Sequence, residues 1–253
     1  MQAYVIGLMW FLGVSAVAAV AVVLIRRSWP PDQRADIHDV LSVVFSMTGT
    51  LYAVVAAFVF IDVWQIGNDA RAATYREAQA VQALAWSAEN SPPEYRDRIT
   101  ALSKQYLHEI LDTELPRLRA DQPVGDEGWT VLDQLRTISS RVPAAANSSG
   151  DGPDVVVQTV IQAREDRLAL ADKRIGSVTW FALLFGALLA GMPILFFRFE
   201  HIGTQLAMTT AVVGMITLLL VTIHQIERPF TSTERVPAAA YDNAVARLDS
   251  LGS

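Results

Sequence analysis

Four stretches of this chain carry no charge over a length suited to a lipid bilayer. They lie at residues 4–25, 40–61, 177–197 and 206–223, each near the about 20 apolar residues with which an α-helix crosses hydrocarbon. Between the second and third, apolar positions recur three and four apart among charged ones, the period of amphipathic helices. The pattern predicts an all-α polytopic membrane protein in four parts. These are a transmembrane hairpin at 1–64, a helical extramembrane domain at 65–176, a second hairpin at 177–226 and a polar C-terminal tail at 227–253.

The second stretch organises the rest. No proline interrupts residues 38–90, and a single helix of roughly 50 residues reaches about 75 Å, more than twice the hydrocarbon thickness. Half of it must stand outside the membrane. Within the span, Ser42, Ser46, Gly49, Ala53, Ala56 and Phe60 are spaced by fours and threes and form one stripe of mostly small or weakly polar residues. A lipid-facing surface has no need of such a stripe. It suits either close helix packing or a pore lining, where hydroxyls meet ions.

Pro92 and Pro93 end the long helix, and 94–118 reads as an amphipathic helix with Ile99, Leu102, Tyr106, Ile110 and Leu111 on one face. A further helix is expected at about 128–141, with loops at 121–127 and 143–153. From Asp154, read as an N-cap, a helical pattern runs without proline into the third span, so that both central spans are prolonged into the extramembrane domain. Ala187 and Gly191 form a small pair in that span, and Pro193 marks a kink near its end. The threonines of the fourth span are expected to bond back to their own helix, and a short helix is expected at 238–248 in the tail. The first stretch reads as a retained span rather than a cleaved signal peptide, because no Lys or Arg precedes it and Arg26 and Arg27 follow it.

Composition then removes whole classes of function. With 52% hydrophobic residues and a mean hydropathy of +0.29, the chain is too apolar for an ordinary soluble domain. It has no cysteine, which excludes disulfides, thiol catalysis and cysteine metal sites. A net charge of −6 gives no electrostatic reason to bind nucleic acid. The four histidines lack metal-ligand spacing, and no nucleophile elbow, phosphate loop or dinucleotide fingerprint occurs. The expectation is a non-enzyme with neither metal nor cofactor, whose partners are the bilayer, inorganic ions and further copies of itself.

Three charged residues stand out. Asp62, at the end of the second span, suits either a ring of acids at a pore mouth or an interfacial cap paired with a neighbouring arginine. Glu77 suits a buried salt link to Arg164 or Arg167 that fixes the register of two long helices. Arg228, before Pro229, reads as a headgroup anchor for the last span. Orientation is pulled both ways. Arg26, Arg27, Arg34 and Arg198 place the short turns in the cytoplasm, whereas Arg71, Arg76, Arg164, Arg167, Lys173 and Arg174 favour a cytoplasmic helical domain.

Gly49 and Tyr52 in the second span, Trp64 at its end, the Glu77-Ala78 pair, and Arg228-Pro229-Phe230 after the last span together resemble the bestrophin-like domain family. In that mostly bacterial family a glycine usually follows the Arg-Pro-Phe motif at the position of Ser232 here. The resemblance implies kinship with the bestrophins, which are oligomeric anion channels with four spans, a helical region between spans two and three, and a pore lined by the second span. It implies a bacterial inner-membrane protein of the same layout. Two functions follow as expectations: an oligomeric ion channel, anion-conducting by resemblance, or a membrane-anchored sensory module whose helical domain binds a ligand or partner.

Overall fold

The computed structural model describes residues 2–28, 38–143, 151–197, 199, 201–231 and 238–251. The described residues form helices and connecting turns, with no strand among them. The turn holding Arg34, the residue Arg198, and Ser232 fall outside the described residues. Among the described residues four helical stretches are long and apolar enough to cross a membrane, Gly7–Ser28, Asp39–Ser87, Pro153–Phe196 and Ile202–Ile226, as the hydropathy pattern requires. The chain divides into two compact units, Met1–Trp64 with Arg174–Glu227, and Gln65–Lys173 with Arg228–Ser253.

The first unit contains α1 (Gln2–Ser28), the first half of α2 (His38–Ser87), α7 (Ser177–Gly191) and α8 (Ile202–Ile226). Small residues let these helices approach. A Cβ on Gly214 of α8 would collide with the ring of Phe11 on α1, and one on Gly186 of α7 would lie 2.9 Å from the ring of Tyr52 on α2. Tyr52, Ala56 and Val63 of α2 are buried with Leu183, Ala190 and Ile223. At the other end, Arg26 donates to Gln205 at 3.3 Å, and Gln205 donates to the Leu195 carbonyl at 3.2 Å. Thr217 and Thr222 bond back to carbonyls four residues earlier, as expected of span threonines, but the buried Thr209 hydroxyl finds no partner among the described residues.

Gly214→Val is expected to drive Phe11 out of this contact and cost about 1–3 kcal/mol, the usual penalty for overpacking. Thermal unfolding of the protein in nanodiscs checks it. A midpoint equal to wild type would count against the contact.

The second span is one unbroken 50-residue helix. The third is not continuous with the helix before it. α6 (Pro153–Asp172) ends where Lys173 turns extended, and α7 begins after Gly176, also extended. Asp154 is not the cap of α6: Gly152 holds that place, with Pro153 behind it in the first turn. Proline suits this position because its missing N–H would be unbonded there anyway, and Asp154 then lies where its charge favours the helix dipole. Pro193 does more than kink the span. The α-helix stops at Gly191 and Met192–Phe196 continue as a 3₁₀-helix.

The second unit packs α2's C-terminal half with α3 (Pro93–Glu109), a π-turn (Ile110–Glu114), α4 (Leu115–Arg119), α5 (Glu127–Ser139) and α6. Val81, Leu84, Ile99, Leu102, Leu107, Leu132, Leu135, Val157 and Val160 form its core. The C-terminal segment, expected as a polar tail, belongs to this core. Helix α9 (Ala239–Leu251) inserts Ala240, Tyr241, Ala244 and Leu248, and Phe230 joins them.

Candidate functional site

The stripe on α2 divides along its length. Ser42, Ser46 and Ala53 are exposed, and a Cβ on Gly49 would meet nothing within 4 Å. Ala56 is fully buried and Phe60 is half-buried, stacked on Trp64 at 6.3 Å. The reason is angular. At about 100° per residue, Tyr52, Ala56 and Val63 fall about 40–80° to one side of the stripe's centre, and that side faces α7 and α8. Ala56 is therefore a packing residue and leaves the proposed pore lining. Thr50 and Ala57, which the sequence reading passed over, fall on the free side and are exposed. Asp62 is also corrected. It is exposed, but twenty residues after Ser42 it points about 160° away from the stripe, so one axis cannot receive both.

A second arrangement lies wholly within the second unit. Glu77 of α2, Glu114 of the π-turn, and Arg164 and Arg167 of α6 are each at most 2% exposed. Arg167 donates to Glu77 and, at 2.6 Å, to Glu114; Arg164 donates to Glu114 at 2.6 Å. Tyr106 of α3 accepts from Arg164 at 3.2 Å and donates to Glu77, while Tyr241 of α9 donates to Glu77 at 2.6 Å. The Arg164 guanidinium lies over the Trp129 ring at 4.9 Å. Two carboxylates meet two guanidiniums, so the buried charges cancel. The link expected from Glu77 is present, to Arg167. Arg164 and Arg167 thus share Glu114 as a counter-ion.

The π-turn makes this possible. Pro116 has no N–H to offer the carbonyl four residues back, and Leu115 N–H bonds instead to Ile110, five back. In a regular helix Glu114 would stand about 80° around from Tyr106; the extra residue of the π-turn brings it to within about 20°. Gly128 leaves room on the other side. A Cβ there would collide with the Glu114 carboxylate and lie 2.7 Å from both terminal nitrogens of Arg164.

Burial above all, then the charge of Glu77, pushes the Tyr106 hydroxyl well above its ordinary value, against the pull of both arginines. Burial raises Tyr241 likewise, with Arg167 pulling down and Glu77 pushing up. A group whose folded value lies above its unfolded one stabilises fully below the unfolded value, near 10 for tyrosine, and the gain is lost as pH climbs through the raised value. In an absorbance titration of phenolate, at least two of the six tyrosines are expected to stay protonated beyond pH ~10 until the fold gives way. Tyr106→Phe and Tyr241→Phe assign them. Reversible ionisation of all six near the ordinary value would contradict the burial described.

The remaining motif residues are structural. Tyr52 packs on Gly186, Trp64 is half exposed, and Phe230 and Pro229 are buried in the second unit. Arg228, two residues after α8, donates to Asp121 at 2.8 Å. Asp121 is held at φ 56°, the C-terminal turn in which Asp121 and Gln122 N–H groups close back on Leu118 and Arg117.

Long apolar helices joined by glycine contacts, with a separate helical unit closed around buried ion pairs, define a polytopic α-helical membrane protein. The chain belongs to the bestrophin-like domain family, whose model matches residues 12–241. No curated protein and no solved structure matches it.

Proposed function

We propose that the protein is a homo-oligomeric ion channel of the bestrophin-related kind, anion-conducting, with α2 lining the pore. The observation that carries the reading is the free face of α2. Ser42, Ser46, Gly49 and Ala53 are small or hydroxylated, open to contact outside the protomer, and followed round the helix by Thr50 and Ala57. Around a symmetry axis such a face admits ions where Leu or Phe would seal it. Family membership supports the same reading.

Ion flux in liposomes tests it. Wild-type protein is expected to dissipate a chloride gradient faster than a potassium gradient, and Gly49→Trp to abolish the flux while the protein remains folded and oligomeric. Absence of flux above empty liposomes under every gradient would defeat the proposal.

One observation favours the sensory alternative. A polar cleft of about 520 Å³ opens between α3 and α5, lined by Arg98, Asp133, Thr137 and Arg141 among others. Ligands bound there would shift the unfolding of the second unit whether or not the protein conducts.

A further inference from the structure

The first unit holds a half-open groove of about 750 Å³ between α1, α7 and α8. That volume lies within the about 300–1,000 Å³ of ordinary ligand sites. Its walls are apolar, with Val14, Ala18, Leu184, Leu188, Ile216 and Leu220 among them. Thr217 also lines it, but its hydroxyl is spent on the Val213 carbonyl at 2.8 Å. Polar groups gather at one end only, where α8 finishes its apolar run.

That end is built around Glu227, which is 7% exposed. Its Oε2 accepts the Trp180 indole N–H at 2.9 Å, and its Oε1 lies 3.1 Å from His224 Nδ1. The His224 ring stands edge-on to Trp180 at 5.8 Å. These contacts fix the carboxylate in place at the mouth of an apolar slot. Among the described residues no Lys or Arg lines the groove.

We propose that this groove binds a membrane phospholipid with a primary ammonium headgroup, its acyl chain along α8 and its ammonium on Glu227. The chain supplies what the walls lack. An apolar slot left empty in a bilayer forfeits dispersion contacts along its whole length, and acyl chains are the molecules at hand to fill it. The headgroup follows from charge. The carboxylate is fixed by Trp180 and His224, and the arginine that follows it, Arg228, is paired with Asp121 at 2.8 Å; an acid so held repels an anionic head, and it receives an N–H⁺ donor more strongly than a quaternary ammonium that cannot donate. Trp180 and His224 suit the depth where chain meets headgroup, since amphipathic rings gather at that interface.

The test is the lipid retained by full-length protein exchanged from nanodiscs of mixed phosphatidylethanolamine, phosphatidylcholine and phosphatidylglycerol into detergent, read by native mass spectrometry. Phosphatidylethanolamine is expected to be enriched roughly tenfold over its bulk share, the scale of one charge-assisted hydrogen bond. Glu227→Gln is expected to keep lipid binding and lose the preference. Gly191→Leu fills the slot instead: its Cβ would stand 3.9 Å from Ile216, an ordinary contact, and the longer side chain displaces the lipid. It is expected to lower retention several-fold with unchanged helicity. Retained lipid in bulk proportion, enrichment of phosphatidylglycerol, or full retention by Gly191→Leu would each overturn the proposal.

Discussion

Arg167→Met is expected to destabilise the protein by about 3–5 kcal/mol, the cost of removing one partner from a buried ion pair. Methionine matches much of the arginine's volume, so packing is not the main loss. What remains is Glu77 and Glu114, both fully buried, with one guanidinium left between them. Burying a carboxylate without its counter-charge costs several kcal/mol even when hydroxyls still donate to it. For a chain of this size that lowers the unfolding midpoint by about 10 °C. Glu77→Leu alone is expected to be comparably harmful. The Glu77→Leu/Arg167→Met pair restores neutrality and is expected to cost well under the sum of the two. Unfolding in nanodiscs followed by tryptophan fluorescence gives all four corners of this cycle. Additive losses, or single losses below about 0.5 kcal/mol, would show that the two side chains do not act as a pair.

Gly128→Ala is the second large effect, and its sign is the informative part. Glycine to alanine on a helix normally gains about 0.5–1 kcal/mol, because the chain gives up less freedom on folding. At Gly128 the new methyl enters the space of the Glu114 carboxylate and both terminal nitrogens of Arg164. Long side chains usually swing aside at little cost. These two cannot, since Arg164 is held by Glu114, Tyr106 and the Trp129 ring. The expected result is a loss of about 2 kcal/mol or more, overpacking added to a stretched ion pair. Gly13→Ala on α1, where a Cβ meets nothing within 4 Å, is the control and is expected to be neutral or stabilising. Equal effects at the two sites would remove the claim that Gly128 makes room for the network.

Much of this architecture is legible in the chain because hydrocarbon tolerates so few solutions. Uncharged runs of span length leave little but membrane helices, and the proline-free stretch from His38 could only be one long rod. Glu77 is legible for a different reason, as a carboxylate with Arg164 and Arg167 on a candidate partner helix. Its second tier was not. On a regular helix Glu114 would stand about 80° around from Tyr106, and only the π-turn ahead of Pro116 rotates it onto the same face. Pro116 was the available signal, a proline inside an amphipathic pattern. Tyr241 lies 164 residues from Glu77, a separation that local periodicity cannot bridge. The stripe on α2 was found by its spacing, but spacing fixes a face and not its neighbour. Which edge packs against α7 and α8 is decided by Tyr52 meeting Gly186, and that contact separates Ala56 from Ala53.

The mutual dependence of Glu77, Glu114, Arg164 and Arg167 also constrains how this chain can change over descent. Any one replacement strands a charge, while a concerted exchange for apolar residues costs little. The cluster is therefore a valley with steep sides, left only by several steps at once. A descendant that has dispensed with Arg167 is expected to have dispensed with Glu77 too, and to carry in Tyr241's place a residue that has no hydroxyl to satisfy.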